Sequence, residues 1–198
     1  MKWMSVRKLR VVLAGVAVAF VAACTSAPAP TYPDVTWRHL APITFAAGPV
    51  EKVAAYSVGG ANELEGYLPF SLGRMAMRWP DDRIQTAGTT DILRYSVTEA
   101  SITSSALKTT KGVRGVFTDD QSERVDLKIS VKLEVLGANG MQKGEAIASA
   151  ARSRTLAQSM SVAERESAIY DETAALLKDI DLELERQINA NLGRFLLR

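Results

Sequence analysis

The clearest pattern in the chain is a strict alternation of apolar and polar residues between Val125 and Val135. The apolar positions are Val125, Leu127, Ile129, Val131, Leu133 and Val135. Side chains of a strand point alternately to its two faces. The alternation therefore predicts a half-buried antiparallel strand with one face in water.

A turn and a returning strand are predicted directly after this segment. Asn139-Gly140 is a strong hairpin signal because both residues tolerate a positive φ. The return, about Gly144 to Thr155, is rich in Ala and Ser, whose small side chains would let a helix approach the sheet closely. The register stays open at this point. A two-residue turn places Ala146, Ala148 and Ala150 opposite the apolar set, whereas a three-residue turn places Ile147 and Ala151 there.

Two further strands are predicted upstream. One covers about Val50 to Val58 and ends at Gly59-Gly60. The other covers Leu93 to Ile102, and its apolar phase slips near Glu99, which predicts a β-bulge. The segment Lys111–Asp120 is interrupted by glycines and is predicted as a hairpin loop or a short edge strand.

A helix is predicted between the upstream strands. It starts at Leu68, with Pro69 suited to its first turn. It ends or kinks at Trp79, because Pro80 follows. Asp81 and Asp82 are expected to start a second short turn before Gly88.

From Ser161 the apolar spacing changes to steps of three and four residues, which predicts a long amphipathic helix. Ser161 and Glu164 form a capping box at its start. The apolar positions are Ile169, Leu176, Leu177, Ile180, Leu184, Ile188, Leu192 and Phe195. A continuous helix to Leu196 would measure ~54 Å, so we expect it to bend, break or protrude.

The element order predicts an α+β domain. An antiparallel sheet of about four strands, in the order β-α-β-β-β-α, would carry its helices on one face. The predicted domain covers 37–198 and begins near Trp37 or Ile43. Residues 24–36 before it form a tether, since three prolines among residues 25–34 favour an extended chain.

The first 23 residues have the pattern of a cleaved signal peptide. Four basic residues and no acids precede or flank an uncharged run from Val11 to Ala23. Thirteen helical residues reach ~20 Å, which is too short to cross a bilayer core of ~30 Å.

Cleavage changes the charge of the chain. Of 24 basic residues, four lie before Cys24, and all 22 acids lie after it, so the mature chain is slightly acidic. No concentrated basic face of the kind that binds nucleic acid is evident. A single Cys and a single His exclude a disulfide framework within the chain and the usual metal clusters, so we expect no cofactor.

The signal ends in Val21-Ala22-Ala23-Cys24, which resembles the lipobox of bacterial lipoproteins. This resemblance implies cleavage before Cys24 and acylation of that residue, and stable anchoring needs two or more chains. The alternative is a plain signal peptide with a chance Cys. Residue 25 is Thr rather than Asp, which in enteric-type bacteria implies the outer membrane.

Candidate catalytic residues do not converge. His39 has no second His as a partner, and a surface or packing role is favoured for it. The adjacent acids Asp81-Asp82, Asp119-Asp120 and Asp171-Glu172 are interpreted as solvated surface. The acids of the last helix are interpreted as its wet face; they are Asp171, Asp179, Asp181 and Glu185. We therefore do not expect an enzyme.

Two groups are candidate contact surfaces. Met75, Met77 and Trp79 would line an apolar groove if exposed, although a core position is favoured because the helix must bury a face. Arg114 and Phe117, in the loop from Lys108 to Arg124, would contact anionic lipid or a partner; an ordinary hairpin loop is the favoured alternative.

The layout resembles the lipopolysaccharide-assembly lipoprotein of the outer membrane and the auxiliary lipoproteins of ABC-type lipid-transport systems. The resemblance covers most of the mature chain but is one of layout, with VAAC as its only specific motif. It implies a non-enzymatic accessory subunit with an envelope protein partner. A carrier or sensor of a lipid-like ligand is the alternative.

Overall fold

The computed structural model describes residues 31–60, 62–107 and 121–197. Contacts group Tyr32–Arg198 into one compact unit. The strands are β1 (Ile43–Phe45), β2 (Val50–Ala54), β3 (Ile84–Thr86), β4 (Ile92–Ala106), β5 (Gln121–Leu136) and β6 (Gln142–Ala157). The α-helices are α1 (Leu72–Ala76), α2 (Trp79–Arg83) and α3 (Val162–Asn191), with 3₁₀ turns at Glu65–Tyr67 and Gly193–Phe195. None of these helices is both long and apolar enough to cross a membrane.

The fold is α+β, and β5 is its central strand. All six alternating apolar residues of β5 are at most 1% exposed, which confirms the predicted buried face. On the other face Lys128 is exposed. Strand β4 pairs antiparallel with β5, and its register shifts between Val97 and Glu99, which confirms the predicted bulge.

The sheet differs from the prediction in being mixed rather than wholly antiparallel. Its order is β2-β4-β5-β6, and β2 pairs parallel with β4. A parallel pair needs a crossover connection, and residues 55–91, which contain α1 and α2, supply it. A second sheet, in which β1 pairs parallel with β3, was not predicted.

The β5–β6 hairpin settles the open register in favour of the alanines. The loop has three residues, since Gly137 N–H donates to Met141 O at 2.8 Å and Gly140 takes a φ of 77°. The pairing then shifts by one residue between Leu136 opposite Gln142 and Val135 opposite Gly144. As a result Ala146 and Ala148 lie opposite Leu133 and Val131 in the core.

Helix α3 begins at the predicted capping box, in which Ser161 and Glu164 bond to each other's backbone N–H. It runs antiparallel along β6: Ala168 O accepts from Arg154 at its start, and Leu192 lies against Gly144 at its end. Its 30 residues measure ~45 Å. Up to residue 197 the chain does not extend beyond the helix, because the segment after Asn191 turns back: Leu197 N–H donates to Thr44 O of β1, and Phe195 O accepts from Ala46 N–H.

The single helix predicted from Leu68 is wrong in detail. Ser71 caps α1 by accepting from Arg74 N–H, which leaves Pro69 outside the helix. Trp79 begins α2, and Pro80 lies in its first turn. Two short helices therefore replace one, and the predicted second turn at Asp81 and Asp82 is part of α2.

Candidate functional site

A buried polar cluster joins α2 to α3. The Asp181 carboxylate is 2% exposed and accepts from Trp79 Nε1 at 2.7 Å and from Arg83 Nε at 3.0 Å. Arg83 is also buried, and its guanidinium donates to Ala41 O and to Glu185. The expectation that Asp181 lies on a wet helix face is wrong, because the side chain neutralises a buried arginine.

A signal for this cluster was present in the sequence. Asp181 falls four residues after Leu177 and three before Leu184. It therefore occupies a position on the apolar face of the helix. A charge on such a face indicates a buried partner. The partner is Arg83, which lies 98 residues away in the chain. Only the packing of α2 on α3 identifies it.

Asp82 is the second buried carboxylate that the sequence pattern did not predict. Its side chain is 2% exposed and accepts from Trp37 N–H at 3.0 Å, Thr36 Oγ1 at 2.9 Å and Arg38 Nε at 3.0 Å. Burial raises the pKa of Asp82, but these hydrogen bonds and the charge of Arg38 outweigh it, so the pKa is lowered. The solvated-surface interpretation fits Asp81, which is exposed and pairs with Lys52, and is wrong for Asp82.

These contacts hold residues 32–41, here called the N-terminal segment, on the domain. Tyr32 packs on Phe70 and Tyr170, with ring centroids 5.3 and 5.2 Å apart. Tyr170 OH donates to Pro33 O at 2.6 Å. Among the described residues, the chain is therefore packed on the domain from Tyr32 onward, which includes the last part of the segment predicted as a tether.

The predicted contact residues have different outcomes. Met75 and Trp79 lie in the core and Met77 is partly buried, so the favoured core interpretation fits them. His39 is exposed, in line with a surface role. Cys24, Arg114, Phe117 and the acid pair Asp119-Asp120 lie outside the described residues.

A shallow cavity of about 260 Å³ lies between the N-terminal segment and α3. Its apolar lining includes Val35, Trp37, Leu40 and Leu182, and Lys178 and His39 also contribute. In the described part of the chain, no group of three or more His, Cys, Asp or Glu is placed to hold a metal ion.

The four-stranded sheet has two edge strands, β2 and β6, and β6 is the longer of them. Within the described residues no strand pairs with its outer side, along 16 residues. Residues 146–151 include no charge, no Pro and no Gly, and Ile147 is exposed among them. Unpaired backbone groups along such an edge are a template for another strand.

No protein-family model and no curated protein matches the sequence. Three of the solved structures similar to the chain are described as bacterial lipoproteins. The minor lipoprotein of Acinetobacter baumannii is 14% identical with a TM-score of 0.37, covering 75% of this chain and 96% of that one. Rare lipoprotein B of Shewanella oneidensis is 13% identical with a TM-score of 0.37, covering 72% and 96%.

A lipoprotein of Caulobacter crescentus is 22% identical with a TM-score of 0.31, covering 71% of this chain and 90% of that one. All three are described as lipoproteins.

Proposed function

We propose that this protein is a lipoprotein of the cell envelope that faces the periplasm and acts as a non-enzymatic accessory subunit of an envelope assembly or lipid-transport complex. Its anchor is acylated Cys24, and Thr25 favours the outer membrane over the inner. The lipobox resemblance supports the anchor. The free edge of β6 supports the subunit role, and it is the observation that carries this part of the proposal.

The β6 edge is suited to receive one extended strand of a partner protein. Natural sheets protect exposed edges with charges, prolines or bulges, and residues 146–151 have no charge and no Pro. Addition of a strand satisfies the free backbone groups, and the partner's alternate side chains give specificity. Charged residues lie in β6 on both sides of this stretch, so residues 146–151 are the part of the edge on which we propose that a partner strand docks.

The pairing of β5 with β6 determines which N–H groups of β6 point away from β5. Ser130 and Ser149 lie opposite each other, and their hydroxyl oxygens are 2.9 Å apart. Such close side chains are typical of a non-hydrogen-bonded antiparallel pair, whose N–H groups point away from the partner strand. Ser149 therefore directs its N–H toward the free edge. The N–H groups of Ile147 and Ala151, two residues away on either side, point in the same direction.

The substitution Ala151→Pro tests whether a partner strand docks on this edge. It removes an outward N–H and leaves the β5–β6 bonds intact, while Ala151→Thr keeps that N–H and favours a strand. The lipoprotein is affinity-purified from its own membranes as the wild type, Ala151→Pro, Ala151→Thr and Cys24→Ala. We expect a stoichiometric membrane-protein partner with the wild type and Ala151→Thr, at least a tenfold loss with Ala151→Pro, and a loss with Cys24→Ala.

Retention of the partner by Ala151→Pro would contradict docking on this edge. A clean monomer that carries only bound lipid would contradict the subunit role itself. Circular dichroism spectra of the two Ala151 variants control for folding.

That second outcome would favour a carrier of a lipid-like ligand, and the cavity beside Leu182 is the observation that supports this alternative. At about 260 Å³ it is just below the ~300–1,000 Å³ of ordinary ligand sites, so it suits one end of an acyl chain. Loss of the co-purified lipid on Leu182→Asp, measured by mass spectrometry of the extract, would place the ligand there.

A further inference from the structure

Tyr67 is the most exposed large apolar side chain of the described residues, at 85%. It ends the 3₁₀ turn Glu65–Tyr67, and its neighbours Gly66 and Pro69 are also exposed. An exposed ring with a polar tip is suited to a boundary between water and an apolar phase.

The turn that presents Tyr67 is held firmly. The Glu65 carboxylate is buried and accepts from Ser71 Oγ and from Gly73 N–H at 3.3 Å. Leu64 N–H donates to Ile102 O of β4 at 2.7 Å. The exposure of Tyr67 is therefore a property of a fixed turn and not of a loose loop.

This turn lies beside the point at which the chain enters the domain. Phe70, three residues after Tyr67, packs on Tyr32 and on Tyr170, with centroids 5.3 and 5.4 Å apart. Tyr32 is eight Cα steps from Cys24, and at ~3.6 Å a step the chain spans at most ~29 Å. An acyl anchor on Cys24 would thus keep this end of the domain close to the lipid surface.

The charged side chains around Tyr32 are of both signs, and Arg74 is among the exposed ones. Arg74 is exposed and borders a shallow cavity of about 170 Å³ together with Tyr32, Phe70 and Ser71. Asp34 lines the same cavity and is paired with Arg78, Glu166 accepts from Tyr32 OH at 3.4 Å, and Asp171 is exposed close by. Tyrosine is enriched at the headgroup level of membranes, and arginine is attracted to lipid phosphates.

We propose that the turn carrying Tyr67, with Arg74 beside it, is the surface with which the anchored protein contacts the membrane, the Tyr67 ring lying among the headgroups. This inference rests on the proposed anchor at Cys24. It gives the domain a defined orientation, in which the β5–β6 hairpin faces away from the lipid because it lies at the other end of α3 from Tyr170.

The lone cysteine makes a direct test possible. Acylation blocks Cys24, so an introduced Cys is the only thiol that can be labelled. Gly66→Cys is suitable because a Cβ there meets no atom within 4 Å and Tyr67 is kept. Met141→Cys, in the exposed hairpin loop, is the matched control.

Each full-length lipidated variant is labelled with a polarity-sensitive fluorophore and reconstituted into vesicles of phosphatidylethanolamine and phosphatidylglycerol. We expect a blue shift and at least twofold quenching by brominated lipid at position 66, and neither at position 141. Tyr67→Ser in the Gly66→Cys background should abolish most of the quenching.

Equal spectra at the two positions would overturn the proposed surface, and quenching that survives Tyr67→Ser would overturn the role of Tyr67. Failure of the anchor has a separate signature. If the wild type itself takes up the label, Cys24 is not acylated, and both the anchor and this inference fall. If the wild type stays unlabelled and the label on Gly66→Cys shows no blue shift, the anchor stands and only the proposed membrane-contact surface is wrong.

Discussion

At the scale of single residues, the buried charged side chains contribute most to how the elements are held together. Asp181 neutralises Arg83 in a cluster where both side chains are nearly fully buried. A buried pair adds little net stability over apolar residues, but removal of one partner leaves the other charge without compensation. Arg83 also bonds Ala41 O and Glu185, so the cluster connects α2, α3 and the N-terminal segment.

We expect Asp181→Ala to lower the free energy of unfolding by about 3 kcal/mol, because it leaves Arg83 and the Trp79 indole N–H without their acceptor. Asp179→Ala, two residues away, removes only a partly exposed ion pair with Arg152 and should cost less than about 1 kcal/mol. Urea denaturation of the two variants measures the difference. Equal losses would contradict the importance of the buried pair.

At the scale of elements, the fit of α3 on β6 depends on small side chains. Ala146 and Ala148 face the helix, and a Cβ at Gly144 would come within 2.9 Å of Leu192 Cδ2. The loop alone would have placed Ile147 inward. The additional one-residue shift after Gln142 turns Ile147 outward, because the larger side chain has no room under α3.

Ala148→Leu should therefore destabilise the domain by about 1–3 kcal/mol through overpacking. Ser149→Leu, on the open face of the same strand, should change stability by less than about 0.5 kcal/mol. Thermal melts followed by circular dichroism test this pair. A similar loss in both variants would argue against the close helix–sheet contact.

At the scale of the whole molecule, the N-terminal segment links the predicted anchor to the core. Asp82 accepts three hydrogen bonds from residues 36–38, and Arg83 donates to Ala41 O. These hydrogen bonds fix the N-terminal segment to α2.

Acid should loosen this segment. The pKa of Asp82 is lowered in the folded state, so its stabilising contribution is complete above the unfolded pKa of about 3.9 and is lost as the pH falls through the folded value. We expect the protection factor of the Trp37 amide, which is the intrinsic exchange rate at a given pH divided by the observed rate, to fall as the pH drops below the unfolded pKa. Asp82→Asn should give fast exchange at neutral pH, at a cost of about 1–3 kcal/mol. Asp81→Asn is the control, and fast exchange in it as well would contradict a specific role for Asp82.

The sequence by itself determined the elements whose pattern is local. The alternation in β5, the slip near Glu99, the hairpin at Asn139-Gly140 and the capping box at Ser161 are confirmed. Each depends on residues within a few positions of one another. Periodicity and capping act at that range, so the α+β class could be predicted.

Only the tertiary structure decided the parallel pairing of β2 with β4, the second sheet, the inward direction of Asp82 and the partner of Asp181. Each joins parts of the chain that lie about 40 to 100 residues apart. A charged side chain looks the same in sequence whether it faces water or an arginine from another element. Its burial is favourable only once packing brings that partner within hydrogen-bonding distance.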